Sequence, residues 1–179
     1  MKNPWKTLSS KEVYTNAWIS VREDQVTNPN GNPGIYGVVS FKNLAIGIVP
    51  LDEEGYTWLV GQYRYSLDLY SWEIPMGGGP IDIPPVESAK RELQEETGLT
   101  ANQWSELLQI HTSNSVTDEF GIVFLAKGLT EGPTDFEDTE DIQVKKLRLE
   151  DAVQMVMSGE ITDAISMAAL LKTARMLQS

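Results

Sequence analysis

The stretch at residues 77–99, GGGPIDIPPVESAKRELQEETGL, decides how this chain is read. Gly77, Gly78 and Gly79 let backbone come close to a ligand or a neighbouring element and can leave a carbonyl pointing inward. Pro84-Pro85 then opens a helix, since proline is tolerated in a first turn, and Gly98 closes it, glycine being the usual residue just past a helix end. Wound as a helix, Val86, Ala89, Leu93 and Thr97 fall within about 80° of one another and predict a buried stripe. Glu92 and Glu96 stand one turn apart beside that stripe, with Glu95 further round.

Like charges at i and i+4 repel by a few tenths of a kcal/mol on an exposed helix, and by more beside a buried face, where screening is weaker. A divalent cation turns that repulsion into coordination. Oxygen ligands of this kind suit Mg²⁺, with Mn²⁺ the alternative. The competing reading is a solvated face of a glutamate-rich helix.

Upstream, residues 14–26 and 36–41 carry strand-like patterns around the turn-rich NPNGNPG at 28–34, a hairpin signal. LAIGIVPLD (44–52) and YTWLVGQYRY (56–65) flank the turn Glu53-Glu54-Gly55 and are apolar enough to be inner strands. LYSWEIP (69–75) runs directly into Met76 and the glycines. Downstream, strands are expected at 105–112, 121–127 and 142–148, followed by helices at 149–157 and 161–177 divided at Ser158-Gly159. Strands, one helix, more strands and then helices describe an α/β or α+β sheet with helices packed on it, preceded by a small N-terminal β element.

Composition narrows the function. Of 179 residues, 26 are Asp or Glu and 14 Lys or Arg, a formal net charge of −12, so a general nucleic-acid binder is disfavoured. A small anionic substrate stays open, because a bound cation reverses the local sign. There is no cysteine, which excludes disulfides, thiolate metal sites and thiol nucleophiles, and the one histidine, His111, excludes multi-histidine zinc sites. His111 is read as structural. No apolar run approaches the roughly 18 residues of a membrane span, and the first residues, MKNPWKTLSSKE, carry no apolar signal segment. A cytoplasmic protein without a membrane partner is the expectation.

The segment 77–99 resembles the Nudix box: Gly, five residues, Glu, seven residues, then Arg-Glu-(aliphatic)-x-Glu-Glu-x-Gly-(aliphatic). Gly77 is in place, and Arg91-Glu92-Leu93-Gln94-Glu95-Glu96-Thr97-Gly98-Leu99 matches the second half at every fixed position. Ile83 stands where the box has its first Glu, which in the family braces the box arginine. Asp82 and Glu87 are the carboxylates near enough in sequence to replace it. The run LVGQYRYSLDLYSWEIPMGGG and the later GEITDAISMAALL are similar to the ADP-ribose and nucleoside-diphosphate-sugar pyrophosphatases of that family. The fold implied is the Nudix α/β/α sandwich around a mixed sheet at residues 43–179. Residues 1–42 would form an N-terminal β segment contributing to a homodimer.

The resemblance implies roles residue by residue. Glu92 and Glu96 match the metal-binding glutamates, and the Met76 carbonyl matches a position that often completes the metal shell. Glu95 would bind metal directly or through water, or orient Arg91. A further acidic residue before the last strand would serve as metal ligand, general base or both: Glu140, with Glu137 and Asp138 as rivals. Arg64 matches a diphosphate-binding arginine, and Glu73 a substrate-side glutamate, its rival reading being a structural partner at a strand end. Trp18 and Tyr36 match base-stacking aromatics, with an ordinary core role the alternative. Glu119 would contact the substrate ribose or support the site from behind.

The implied activity is Mg²⁺-dependent hydrolysis of nucleoside diphosphate sugars, ADP-ribose and GDP-mannose among them, to a nucleoside monophosphate and a sugar phosphate. ADP-ribose hydrolases tend to carry a proline about fifteen residues past the box. Here that turn reads Ser113-Asn114-Ser115, which leaves other nucleoside diphosphate sugars open. The alternatives are a hydrolase of nucleoside triphosphates, dinucleoside polyphosphates or capped RNA, and a catalytically inactive nucleotide-sugar-binding regulator.

Overall fold

A computed structural model describes residues 2–132 and 142–178. They divide into two units, one of residues 2–43 with His111–Phe120, the other of Leu44–Ile110 with the described residues from Gly121 onward.

The first unit is a three-stranded antiparallel sheet, β1 (Lys6–Thr15), β2 (Ile19–Thr27) and β3 (Pro33–Phe41), in that order. The expected hairpin at 28–34 joins β2 to β3. The Asn28 side chain accepts from the amides of Asn30 and Asn32, both at 3.0 Å, and Gly31 takes the left-handed conformation at φ 85°. The single strand-like stretch expected at 14–26 is corrected to two strands. The Asn16 carboxamide oxygen accepts from the amides of Trp18 and Ile19, each at 2.8 Å, and folds a turn between them. β1 extends back to Lys6, before the expected start, because pairing with β2 forms it; its ten exposed residues carry no apolar alternation to mark it in the sequence.

The second unit holds two sheets: β10 (Gln143–Arg148), β5 (Tyr56–Arg64) and β6 (Leu69–Glu73), and β7 (Met76–Pro80), β4 (Asn43–Pro50), β9 (Phe120–Glu131) and β8 (Leu99–His111). β4 and β9 run parallel while β5 is antiparallel to both its neighbours, so the strands are mixed as expected. β7 lies outside the expected strands, since glycines are poor strand formers by propensity and only the sheet recruits them. β8 and β9 are longer than expected, because pairing carries them past their apolar centres.

The helices are α1 (Pro85–Thr97), α2 (Leu149–Ser158) and α3 (Ala164–Leu177), with Gly98 and Gly159 left-handed at the ends of the first two, at φ 70° and 79°. Asp163, expected inside the last helix, instead caps it by accepting from the Ser166 amide at 2.7 Å. Consecutive strand residues face opposite sides, and Ile46 and Gly47 of β4 show which helix covers each. A Cβ on Gly79 would lie 2.7 Å from Ile46 Cγ1 and 3.0 Å from Ser88 Oγ of α1. A Cβ on Gly47 would meet Ile74 Cδ1 at 3.0 Å and Ile165 Cγ2 of α3 at 3.3 Å. Thus α1 packs on one face and α3 on the other, which is the expected α/β/α layering. The main core, Val49, Leu59, Val123, Leu149, Ile161, Ile165 and Leu170 among it, lies on the α2–α3 side. No helix among the described residues is long and apolar enough to cross a membrane.

Candidate active site

The site begins with how α1 meets β7. The buried residues of α1 are Ser88, Ala89, Glu92, Leu93 and Glu96. The expectation that the glutamates stand beside the buried stripe is therefore corrected: Glu92 at 7% exposure and Glu96 at 1% lie on the buried face itself, while Val86 and Thr97 are half-buried. Thr97 turns its hydroxyl back to the Leu93 carbonyl. The rotation follows from the glycine strand. With no side chains on Gly77 and Gly79, the helix settles close to β7, and a Cβ on Gly77 would overlap the Glu92 carboxylate.

Glu96 accepts from the Met76 amide at 2.9 Å. Met76 is thereby tied to one glutamate, and Gly77 abuts the other. Among the described residues, no three or more Asp, Glu or His side chains converge as a complete metal shell. Glu92 and Glu96 supply a pair, and backbone, water or substrate phosphate would complete the coordination, as is usual for Mg²⁺. Two buried carboxylates on one helix face, with an all-oxygen donor set and no thiolate or imidazole, fit a hard divalent cation.

Arg91 bridges Glu95, Glu92 and the Gly78 carbonyl, the last at 3.2 Å. Burial pushes its guanidinium down, but the charges of Glu92 and Glu95 and their hydrogen bonds outweigh this and hold it above its ordinary range. The brace that the box assigns to a glutamate at position 83 is thus supplied from the helix itself and from the glycine strand. Glu87 pairs with Lys90 at 2.8 Å instead.

Arg64, at the end of β5, grips Glu73, at the end of β6, through both Nε and Nη2, the Nε contact being 2.9 Å. The two are close because β5 and β6 form a hairpin in which Arg64 faces Leu69 and Val60 faces Glu73. Glu73 is buried at 3% exposure, whereas the Arg64 side chain is one-third exposed. The hydrogen bonds that Arg64 donates to Glu73 hold the guanidinium above its ordinary range, against the opposing pull of burial, and the charges of Glu73, Asp163 and Glu96 add to the effect.

Arg64, Glu73, Met76, Glu92, Glu95 and Glu96 all belong to one unit. Trp18, Tyr36 and Glu119 belong to the other. Trp18 is 68% exposed, which removes the core reading for it. The Tyr36 hydroxyl donates to the Ser115 carbonyl at 2.6 Å, and its ring meets Trp5 edge-on at 5.4 Å. Ile19 faces Phe41 while Asp24 faces Tyr36. Five strand residues, about 17 Å, therefore separate the ends where Trp18 and Tyr36 stand. Glu119 accepts from the Thr112 hydroxyl. His111 places Nδ1 3.3 Å from the Glu119 carbonyl and its ring 5.0 Å from Phe120, in keeping with a structural residue. Glu140, Glu137 and Asp138 lie outside the described residues.

Asp163 and Ser166, which sequence reading did not single out, also reach this region: the Ser166 hydroxyl accepts from the Ile74 amide at 3.0 Å. The pattern Asp-Ala-Ile-Ser at a helix start is a capping signal that marks Asp163, but nothing local points Ser166 toward Ile74.

A helix that presents a buried glutamate pair to a glycine strand, on a mixed sheet layered between helices, is the arrangement of the Nudix fold. The NUDIX domain model matches residues 41–169, and a model described as the nucleoside diphosphate sugar hydrolase N-terminal domain matches residues 5–39. The chain belongs to the Nudix family, as its box implied.

Within the family, it is 34% identical over 175 residues to the ADP-ribose pyrophosphatase of Mycobacterium tuberculosis, covering 95% of this chain and 83% of that protein. It is 32% identical over 161 residues to the ADP-ribose pyrophosphatase of Bacillus subtilis, covering 89% and 86%. A crystal structure described as an ADP compounds hydrolase matches with a TM-score of 0.87 at 19% identity, over 97% of this chain and 94% of that one, and so shares its fold.

Proposed function

We propose that the protein hydrolyses the diphosphate of nucleoside diphosphate sugars of the ADP-ribose type, releasing a nucleoside monophosphate and a sugar phosphate. The observation that carries this reading is the burial of Glu92 and Glu96 one turn apart against Met76 and Gly77, on the same unit as the Arg64–Glu73 pair. The matched family models and the names of the two bacterial relatives support the substrate class.

Glu92, Glu96 and the Met76 carbonyl would hold Mg²⁺, or Mn²⁺ in its place. Bound there, the ion supplies charge neutralisation of the diphosphate and a water of lowered pKa. Arg64 commits Nε and Nη2 to Glu73, and its remaining guanidinium donors are the ones suited to a diphosphate oxygen. Glu73 holds that guanidinium in register. Glu95 orients Arg91, which in turn steadies Glu92. Glu140 is the residue we assign as general base. Trp18 and Tyr36 offer flat surfaces to a nucleobase, and Glu119 a carboxylate to the ribose.

The separation of Trp18 from Tyr36 favours a pocket completed by a second copy of the chain. The three-stranded sheet, with Leu8, Val13, Tyr14 and Ile35 exposed, is the surface we assign to that homodimer. The N-terminal segment at 1–42 and the hydrolase domain at 43–179 are its functional divisions, and the cytoplasm its compartment.

The test is ³¹P NMR of the protein with Mg²⁺, and in parallel with Mn²⁺, on separate samples of ADP-ribose, GDP-mannose, a dinucleoside polyphosphate and a nucleoside triphosphate. Two monophosphate resonances growing from a nucleotide sugar are expected. Turnover confined to the polyphosphates, or none with either metal, would overturn the reading.

A further inference from the structure

We infer that Ser166 is a positioning residue for this site, acting from α3 through the backbone of the connector at residues 73–76. The inference rests on the metal-assisted reading above.

The connector joins β6 to β7, and its groups reach four different elements. The Glu73 carboxylate meets Arg64 of β5, and the Ile74 amide donates to Ser166 Oγ of α3. The Pro75 carbonyl accepts from the Ile48 amide of β4 at 2.9 Å, and the Met76 amide donates to Glu96 of α1. Pro75 has no amide hydrogen and a fixed φ. Beside the Pro75 carbonyl, the two amides on either side of it hold the connector in place: one is bound by a glutamate of the proposed metal site, the other by Ser166.

Ser166 and Ile74 are both fully buried. The serine is itself fixed, because its own amide donates to the Asp163 cap at 2.7 Å. Removing the hydroxyl leaves the Ile74 amide without its acceptor in a place closed to solvent. The unmet donor then draws the connector toward another partner. Such a shift moves Glu73 on one side and Met76 on the other, so it disturbs the partner of Arg64 and the partner of Glu96 together. A side chain that merely filled space would not couple them.

The experiment uses the full chain and the series Ser166, Ser166→Ala and Ser166→Cys, the thiol being close in size but a weak acceptor. Mn²⁺ affinity is read by electron paramagnetic resonance of the free ion without substrate, alongside kcat and KM on ADP-ribose and the thermal midpoint. Mn²⁺ affinity and kcat/KM are expected to fall in the order Ser, Cys, Ala, with about a ten-fold loss for alanine. A lowered midpoint with unchanged Mn²⁺ affinity and unchanged kcat/KM would reduce Ser166 to a packing role and overturn the inference. If Ser166→Ala does not fold, the serine–cysteine comparison decides by the same criterion. Failure of the unsubstituted protein to bind Mn²⁺ would instead overturn the metal-assisted reading itself.

Discussion

The Glu92 carboxylate lies against the backbone of Gly77, in the space that a Cβ there would occupy. The glycine is required for this contact rather than for a turn, since its φ is not in the left-handed region. Any side chain at position 77 pushes a buried glutamate off its place, so sequence and site chemistry are joined at one atom's width.

Gly77→Ala should therefore cost about 1–3 kcal/mol of stability by overpacking and remove most activity with the displaced Glu92. Thermal melts and kcat/KM measured on the same preparation check both. A variant of unchanged activity would show that Glu92 can sit elsewhere without loss.

Glu96→Gln keeps an oxygen that can accept from the Met76 amide but removes the charge. The fold should persist with a midpoint close to that of the parent, while kcat falls by about a hundred-fold or more. Turnover within a few-fold of the parent would remove Glu96 from the metal site.

Asp52 gives a pH-dependent prediction away from the site. Burial pushes its carboxyl up, but hydrogen bonds from the Tyr56 and Glu54 amides and the pairing with Lys146 outweigh it, so it lies below its ordinary value of 3.8. A depressed folded-state pKa contributes stability above the unfolded value, and that contribution is lost as pH falls through the folded one. Asp52→Asn keeps acceptors for both amides and removes the charge seen by Lys146 at 3.1 Å. Near neutral pH it should cost up to about 1 kcal/mol. The difference from the parent should vanish in denaturant titrations once pH drops below the carboxylate range.

Trp18→Ala should leave stability within about 0.5 kcal/mol of the parent, because the ring is 68% exposed. If Trp18 stacks on the base, KM for a nucleotide sugar rises several-fold while kcat holds. An unchanged KM would take the residue out of the pocket.

In the core, Leu170 is fully buried on α3. Leu170→Ala should cost about 2–5 kcal/mol, read by chemical denaturation, and would show how firmly α3 is seated.

The local signals of this chain were legible in its sequence because their causes are local. Pro84-Pro85 and Gly98 bracket α1 to within a residue, since a fixed φ and a left-handed end are properties of those residues alone. The box motif names Glu92 and Glu96 and the family. The hairpin at 28–34 follows from asparagine and glycine chemistry.

What the tertiary structure decided are relations between segments. β7 exists because β4 pairs with it, not because glycines favour strands. The buried face of α1 includes two glutamates because Gly77 and Gly79 of the strand beneath carry no side chains, a fact hydrophobic periodicity cannot weigh. Arg91 keeps its braces without a glutamate at position 83 because Glu95 and the Gly78 carbonyl converge on it in space. Ser166 meets Ile74 across 92 residues. Propensity and spacing act over a turn or a strand, whereas burial and hydrogen-bond pairing depend on which distant surface closes over a residue. The sequence thus determined the elements and the chemical groups of the site, and packing determined which of those groups face one another.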